Sequence, residues 1–139
     1  MNTEKQYCTF FVKDLLCGIE VAHVEEIVSE SCVSQAPLAA GTVAGLVNRR
    51  GAIVTAIHMG RQLGLPDDDK PRSLTTIFVR SRDETLGLVV DAIGDVLSVR
   101  LQDFEPPPAS LQGVAREIII GAYKLPERLL LPLNLHKIT

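Results

Sequence analysis

The chain carries the same pattern twice, and that duplication constrains its architecture more than any single motif. The stretch FFVKDLLCGIEVAHVEEIV, Phe10 to Val28, lines up with IFVRSRDETLGLVVDAIGDVL, Ile77 to Leu97. Phe11-Val12 falls on Phe78-Val79, and Gly18-Ile19 falls on Gly87-Leu88 after a hairpin turn read as two residues longer in the second copy. Val21, Val24 and Ile27 then meet Val90, Ile93 and Val96 at a constant offset. The match resumes with GLVNRRGAIVTAIHM, Gly45 to Met59, on GAYKLPERLLLPLNL, Gly121 to Leu135, where Ile53, Val54 and Ile57 fall on Leu129, Leu130 and Leu133. Each half therefore reads strand, turn, strand, spacer and a second hairpin.

Short strands punctuated by Gly, Pro and Asp clusters suit small antiparallel barrels. The expected fold is mainly β, with two small barrels fused in one domain of 139 residues. The halves span about residues 7–65 and 74–138, joined by a solvated linker at about 66–73 that includes the acidic Asp67 to Asp69 run. Around Tyr7 to Val12, alternation sends Cys8, Phe10 and Val12 to one side and Tyr7, Thr9 and Phe11 to the other. Both sides are apolar enough to be buried between layers. Helix is expected to be scarce, limited to His58 to Leu65 and part of Ala22 to Ile27, and Pro106-Pro107-Pro108 is a break that no regular element crosses.

Bulk properties exclude several classes. With 46% hydrophobic and 22% charged residues the chain is globular, and no apolar run approaches the ~20 residues of a membrane span. Its N-terminus, MNTEKQY, has no secretion-signal pattern. Cys8, Cys17 and Cys32 form no C-x-x-C pair and read as reduced thiols of a cytoplasmic protein. A net charge of −3, scattered cations, two Tyr and no Trp disfavour nucleic-acid binding. His23, His58 and His136 are not at metal spacing, and no phosphate loop, nucleophile elbow or dinucleotide fingerprint is present. No cofactor, metal or catalytic set is expected. A cysteine–histidine dyad would need unseen proximity. Asp91 and Asp95 resemble a carboxylate pair, but a repeated structural surface explains them as well.

Val43 to Met59, VAGLVNRRGAIVTAIHM, sets the basic tetrapeptide Asn48-Arg49-Arg50-Gly51 between two strand-like runs, a layout expected to hold both guanidinium groups outward. Together with CGIEVAHVEEIV, LGLVVDAIGDVLSV and the terminal LLLPLNLHKI, this segment resembles the CheW family, adaptors that couple chemoreceptors to the histidine kinase CheA in bacterial chemotaxis arrays. The resemblance covers about Gln6 to Ile138, and its most specific strings are Gly45-x-x-Asn48-x-Arg50-Gly51 and Gly87-Leu88-Val89-Val90-Asp91. It implies two pseudo-symmetric five-stranded barrels of SH3-like form. It also implies a non-enzymatic scaffold, cytoplasmic and recruited to membrane-associated receptor arrays without inserting into the membrane. Its partners would be the regulatory domain of a CheA-type kinase and the cytoplasmic tip of a chemoreceptor.

By the same resemblance, Arg50 matches the family's coupling arginine and Glu26 its acidic partner. The alternative for Arg50 is that it only caps a turn, since exposed ion pairs are worth ~0–1 kcal/mol. Val24, Gly45 and Val96 match positions lining the receptor groove between the barrels, although a Val at strand spacing also suits a core. Gly45, Gly51 and Gly87 read as backbone requirements. The chain departs from the family where Arg49 replaces the usual Leu, and where Thr55, His58, Met59 and Gly60 replace a Pro-x-x-Asp-Leu-Arg pattern. Other readings are an accessory scaffold of the same type in a non-flagellar chemosensory pathway, and a small ligand-binding barrel.

Overall fold

The structure, a computed structural model, describes residues 4–29, 43–64, 75–111 and 113–138. Cys32 and the acidic linker lie outside the described residues. The strands are β1 (Glu4–Val12), β2 (Leu15–Glu20), β3 (Val24–Ser29), β4 (Val43–Arg49), β5 (Ala52–His58), β6 (Thr75–Ser81), β7 (Glu84–Val90), β8 (Ala92–Arg100), β9 (Phe104–Glu105), β10 (Ala122–Lys124) and β11 (Leu129–Pro132). Short helices are α1 (Met59–Gln62), α2 (Val114–Ile118) and α3 (Leu135–Ile138). Of these, α1 falls where expected. Val21–His23 is one 3-10 turn leading into β3, and α2 and α3 have no sequence forecast. No regular element crosses Pro106 to Pro108.

One sheet runs β8-β1-β2-β11-β10-β9 and the other β3-β6-β7-β5-β4. The first has a sixth strand because β9 adds a two-residue edge to the five expected. Neither sheet follows one half of the chain. The β1–β2 hairpin sits among β8 to β11, and the β6–β7 hairpin sits among β3 to β5, so each barrel is completed by a hairpin from the other half. The parallel contacts repeat this exchange: Pro132 faces Gly18 across β11 and β2, as Ala56 faces Gly87 across β5 and β7.

The hairpin registers correct the alignment of the two copies. Val12 pairs with Leu15 across Lys13-Asp14, and Ser81 pairs with Glu84 across Arg82-Asp83, so both turns have two residues. Lys13 and Arg82 both take positive φ, 55° and 60°. One offset, that from Lys13 to Arg82, therefore relates the copies from β1 to β3, and the second turn is not longer. Cys8 faces Val96 and Ile77 faces Ile27 at that same offset. A slip of two residues leaves every side chain on its own face, so apolar patterning is blind to it.

Burial follows the layers expected for β1. Phe10 and Val12 enter a large core shared by both sheets, with Cys17, Ile19, Ile57, Met59, Ile77, Val79 and Leu88. Tyr7 points the other way, into a core private to the six-stranded sheet with Leu16, Val99, Tyr123 and Leu130. The five-stranded sheet has its own core of Val47, Val54, Ala56, Phe78 and Val89. A fully buried aliphatic or aromatic side chain contributes about 1.5–3 kcal/mol, so the shared core binds the barrels into one unit.

Candidate functional site

The basic turn joins β4 to β5. Arg49 pairs with Ala52, leaving Arg50 and Gly51 as the two central residues, with φ of 52° and 85°. Positive φ at both positions is the signature of a type I′ hairpin, whose twist matches the strands it joins. Gly51 takes the second position without a Cβ penalty. The Asn48 side-chain oxygen accepts the Gly51 N–H at 2.9 Å and fixes the loop from below. Sequence local to these four residues accounts for all of this geometry.

The two arginines go different ways, which corrects the expectation that both point outward. Arg50 stands in solvent, its side chain 79% exposed, and reaches the Glu26 carboxylate only at 4.0 Å. Arg49 folds back, 19% exposed, and its Nε donates to Glu26 Oε1 at 2.9 Å. Its Nη1 donates to Glu25 Oε1 at 3.3 Å, an oxygen that also accepts the Thr85 hydroxyl at 2.8 Å. The guanidinium carbon lies 5.2 Å from the centre of the Phe78 ring, within cation–π range. The Arg49 hydrogen bond holds the Glu26 carboxyl below the usual carboxylate range. Partial loss of hydration opposes this, and the Arg50 charge adds to the lowering.

Because β3 and β4 are the opposite ends of the five-stranded sheet, Arg49 joins its two edges. Glu26, the acid assigned to Arg50 by resemblance, is held chiefly by Arg49. Glu25, Thr85 and Phe78 complete the cluster, and nothing in the sequence picks them out, since they lie on three different strands.

The remaining candidates lie elsewhere. Gly45 is buried on β4 at a register shift between Val43 and Gly45, with φ of 154°. Val24 is partly buried and packs on the shared core. Val96 is on β8, opposite Cys8, and 59% exposed. Its counterpart in the other copy is Ile27, 40% exposed on β3, already paired with it in the repeat though not among the positions that the resemblance picks out. Ile53 and Leu46 are further exposed apolar side chains, on the strands that carry the basic turn.

Groups that suggested chemistry have structural roles. His58 Nδ1 accepts the Arg61 N–H and caps α1. Asp91 accepts the Lys13 N–H at 2.5 Å, and the Asp95 carbonyl accepts the Thr9 hydroxyl. Burial pushes the Cys17 thiol up to about 12 and also raises Cys8, which suits packing and not nucleophilic attack. No helix among the described residues is long and apolar enough to cross a membrane.

Comparison with known proteins shows the family and the fold. Residues 6–139 match the family described as CheW-like domain. A chemotaxis protein CheW of Treponema pallidum is 29% identical, the alignment covering 99% of this chain and 84% of that protein. A chemotaxis protein CheW of Bacillus subtilis is 25% identical over 81% of this chain and 72% of its own. In fold, the chain superposes on the crystal structure of a scaffolding protein, TtCheW from Thermoanaerobacter tengcongensis, with a TM-score of 0.85 and 24% identity, covering 96% of this chain and 91% of that one.

Proposed function

The chain belongs to the CheW-like domain family, and from that premise we propose that it is a non-enzymatic adaptor coupling chemoreceptors to a CheA-type histidine kinase. It acts with other chemotaxis signalling proteins by binding them, without chemistry of its own. The reading is supported by likeness to chemotaxis proteins along nearly the whole chain. The observation that carries its site is the basic turn, where an exposed cation stands on a base clamped by Arg49.

In this reading Arg50 engages an acidic group on the partner surface while Asn48 and Gly51 hold the turn in shape. Arg49 and Glu26 keep its base in register with β3. Bidentate guanidinium–carboxylate contacts suit such a role, because they fix orientation as well as proximity. Val24, Gly45 and Val96, now with Ile27, belong to the groove that takes a helical receptor tip, a common mode of helix recognition. The kinase regulatory domain packs against one barrel, and recruitment brings the adaptor to membrane-associated arrays. Signal passes because the receptor's two states bind the assembly with different free energies.

The test uses purified kinase regulatory domain and receptor signalling fragments from the same cell. Wild-type protein is expected to bind both. Arg50→Ala should fold as wild type and lower receptor-dependent kinase activation by about tenfold, as loss of an interface arginine commonly does. Unchanged coupling in the folded variant would remove Arg50 from the site, and absence of binding to either partner would overturn the adaptor assignment.

A further inference from the structure

The corrected repeat offset exposes a carboxylate that one copy has and the other lacks. Where the chain crosses from β7 to β8, Asp91 lies against the β1–β2 turn, and its Oδ2 accepts the Lys13 N–H at 2.5 Å. The counterpart of Lys13 is Arg82, in the β6–β7 turn with the same positive φ. The counterpart of Asp91 is Ala22, so the second turn has no acid at that place. Asp83, like its counterpart Asp14, is a residue of the turn itself.

Around the second turn lies a recess at the seam between the barrels, bounded by Glu20, His23, Arg80, Arg82, Ile120 and His136. Arg80 and Arg82 form no ion pair with any described residue. Glu20, the acid of the recess, is shared between Lys5 at 3.6 Å and His23 at 3.8 Å. The recess thus holds two guanidinium groups with no ion pair among the described residues, beside an apolar wall in which Ile120 is 48% exposed.

We propose that this recess receives an aspartate or glutamate side chain of a partner protein, which takes at Arg82 the place that Asp91 holds at Lys13. Arg80 supplies the second cation, and Ile120 takes an apolar side chain next to the acid. That apolar wall favours an acidic–apolar polypeptide segment over a free small anion, which would leave Ile120 in water. This surface is separate from the basic turn of β4–β5, so its test does not depend on the coupling role proposed above.

The experiment titrates the full-length isotopically labelled protein with the peptide acetyl-Ala-Leu-Glu-Glu-Leu-amide and follows backbone amide shifts. Saturable movement centred on Arg82 and His23 is expected, and the glutamine version of the peptide should bind at least about tenfold more weakly, as expected for loss of charge-assisted hydrogen bonds. Ala22→Asp supplies the missing carboxylate from within the chain. It should move the Arg82 amide without peptide and weaken binding by about tenfold. Should that variant fold poorly, Arg80→Gln, on an exposed strand position, is expected to weaken binding several-fold. The proposal is overturned by no shift at Arg82, by equal binding of the glutamine peptide, by wild-type affinity in the folded variants, or by equal shifts from sodium acetate at the same carboxylate concentration.

Discussion

The two barrels share a register but close by different forces. In the five-stranded sheet, Arg49 reaches from β4 to Glu25 and Glu26 on β3 and lies over Phe78. In the six-stranded sheet the position of Arg49 is taken by Leu125, which packs on Tyr7, Leu16, Val99, Tyr123 and Leu130. Asp95 stands where Glu26 stands in the other copy, and contributes its backbone carbonyl to Thr9. Both barrels have an apolar core, but one adds a charged clamp between its edges where the other has further apolar packing. The two copies share a backbone plan, and their side chains differ in which of them presents the basic turn. The charged closure also explains how two adjacent arginines coexist. Arg49 is neutralised internally, and Arg50 is left for solvent or a partner.

The strongest way to break this comparison is through the core that both barrels share. Phe10 is fully buried there, and Phe10→Ala should cost about 3–5 kcal/mol, the range for deleting a buried aromatic ring. Because each barrel holds a hairpin from the other half, the loss should appear as one cooperative transition in urea, with circular dichroism and tyrosine fluorescence coinciding. Two separated transitions would show the barrels to be independent.

A smaller effect is expected from making the two closures alike. Arg49→Leu replaces the charged clamp by the residue type found in the other copy. The variant should remain folded, with a lower melting temperature than wild type at low salt and a smaller dependence of that temperature on salt. A melting temperature that responds to salt as in wild type would mean that the clamp contributes nothing to closure.

The smallest effect is the acid limb of stability. Glu26 has its carboxyl pKa lowered in the folded protein, so the unfolded chain binds its proton first as pH falls. Its contribution is therefore complete above the ordinary carboxylate value of about 4.3 and is lost as pH drops through the lower folded value. Wild type should lose more stability between about pH 5 and pH 3 than Glu26→Gln does. Parallel curves from denaturant titrations at those pH values would sink this account of the clamp.

Much of the fold was legible because its determinants are local. Alternation marked β1 as buried on both faces, the Asn-x-x-Gly turn marked the β4–β5 hairpin, and the His58 to Leu65 stretch marked α1. The turn alignment failed by two residues for a reason that belongs to strands: hydrophobic pattern has period two and cannot see such a slip. The candidate site was half legible. Asn48, Arg50 and Gly51 could be placed from the turn alone, whereas the direction of Arg49 could not.

What the sequence by itself determined is the duplicated β plan, the basic turn and the family to which they belong. The tertiary structure decided the rest: that each barrel borrows a hairpin, that Arg49 and not Arg50 holds Glu26 closely, and that Ala22 leaves a second turn without the acid its twin has. The division has one physical cause. Strand faces and turns are set by neighbours in sequence. The clamp and the turn caps join residues far apart along the chain, and these meet only when sheet edges and crossovers come together in space.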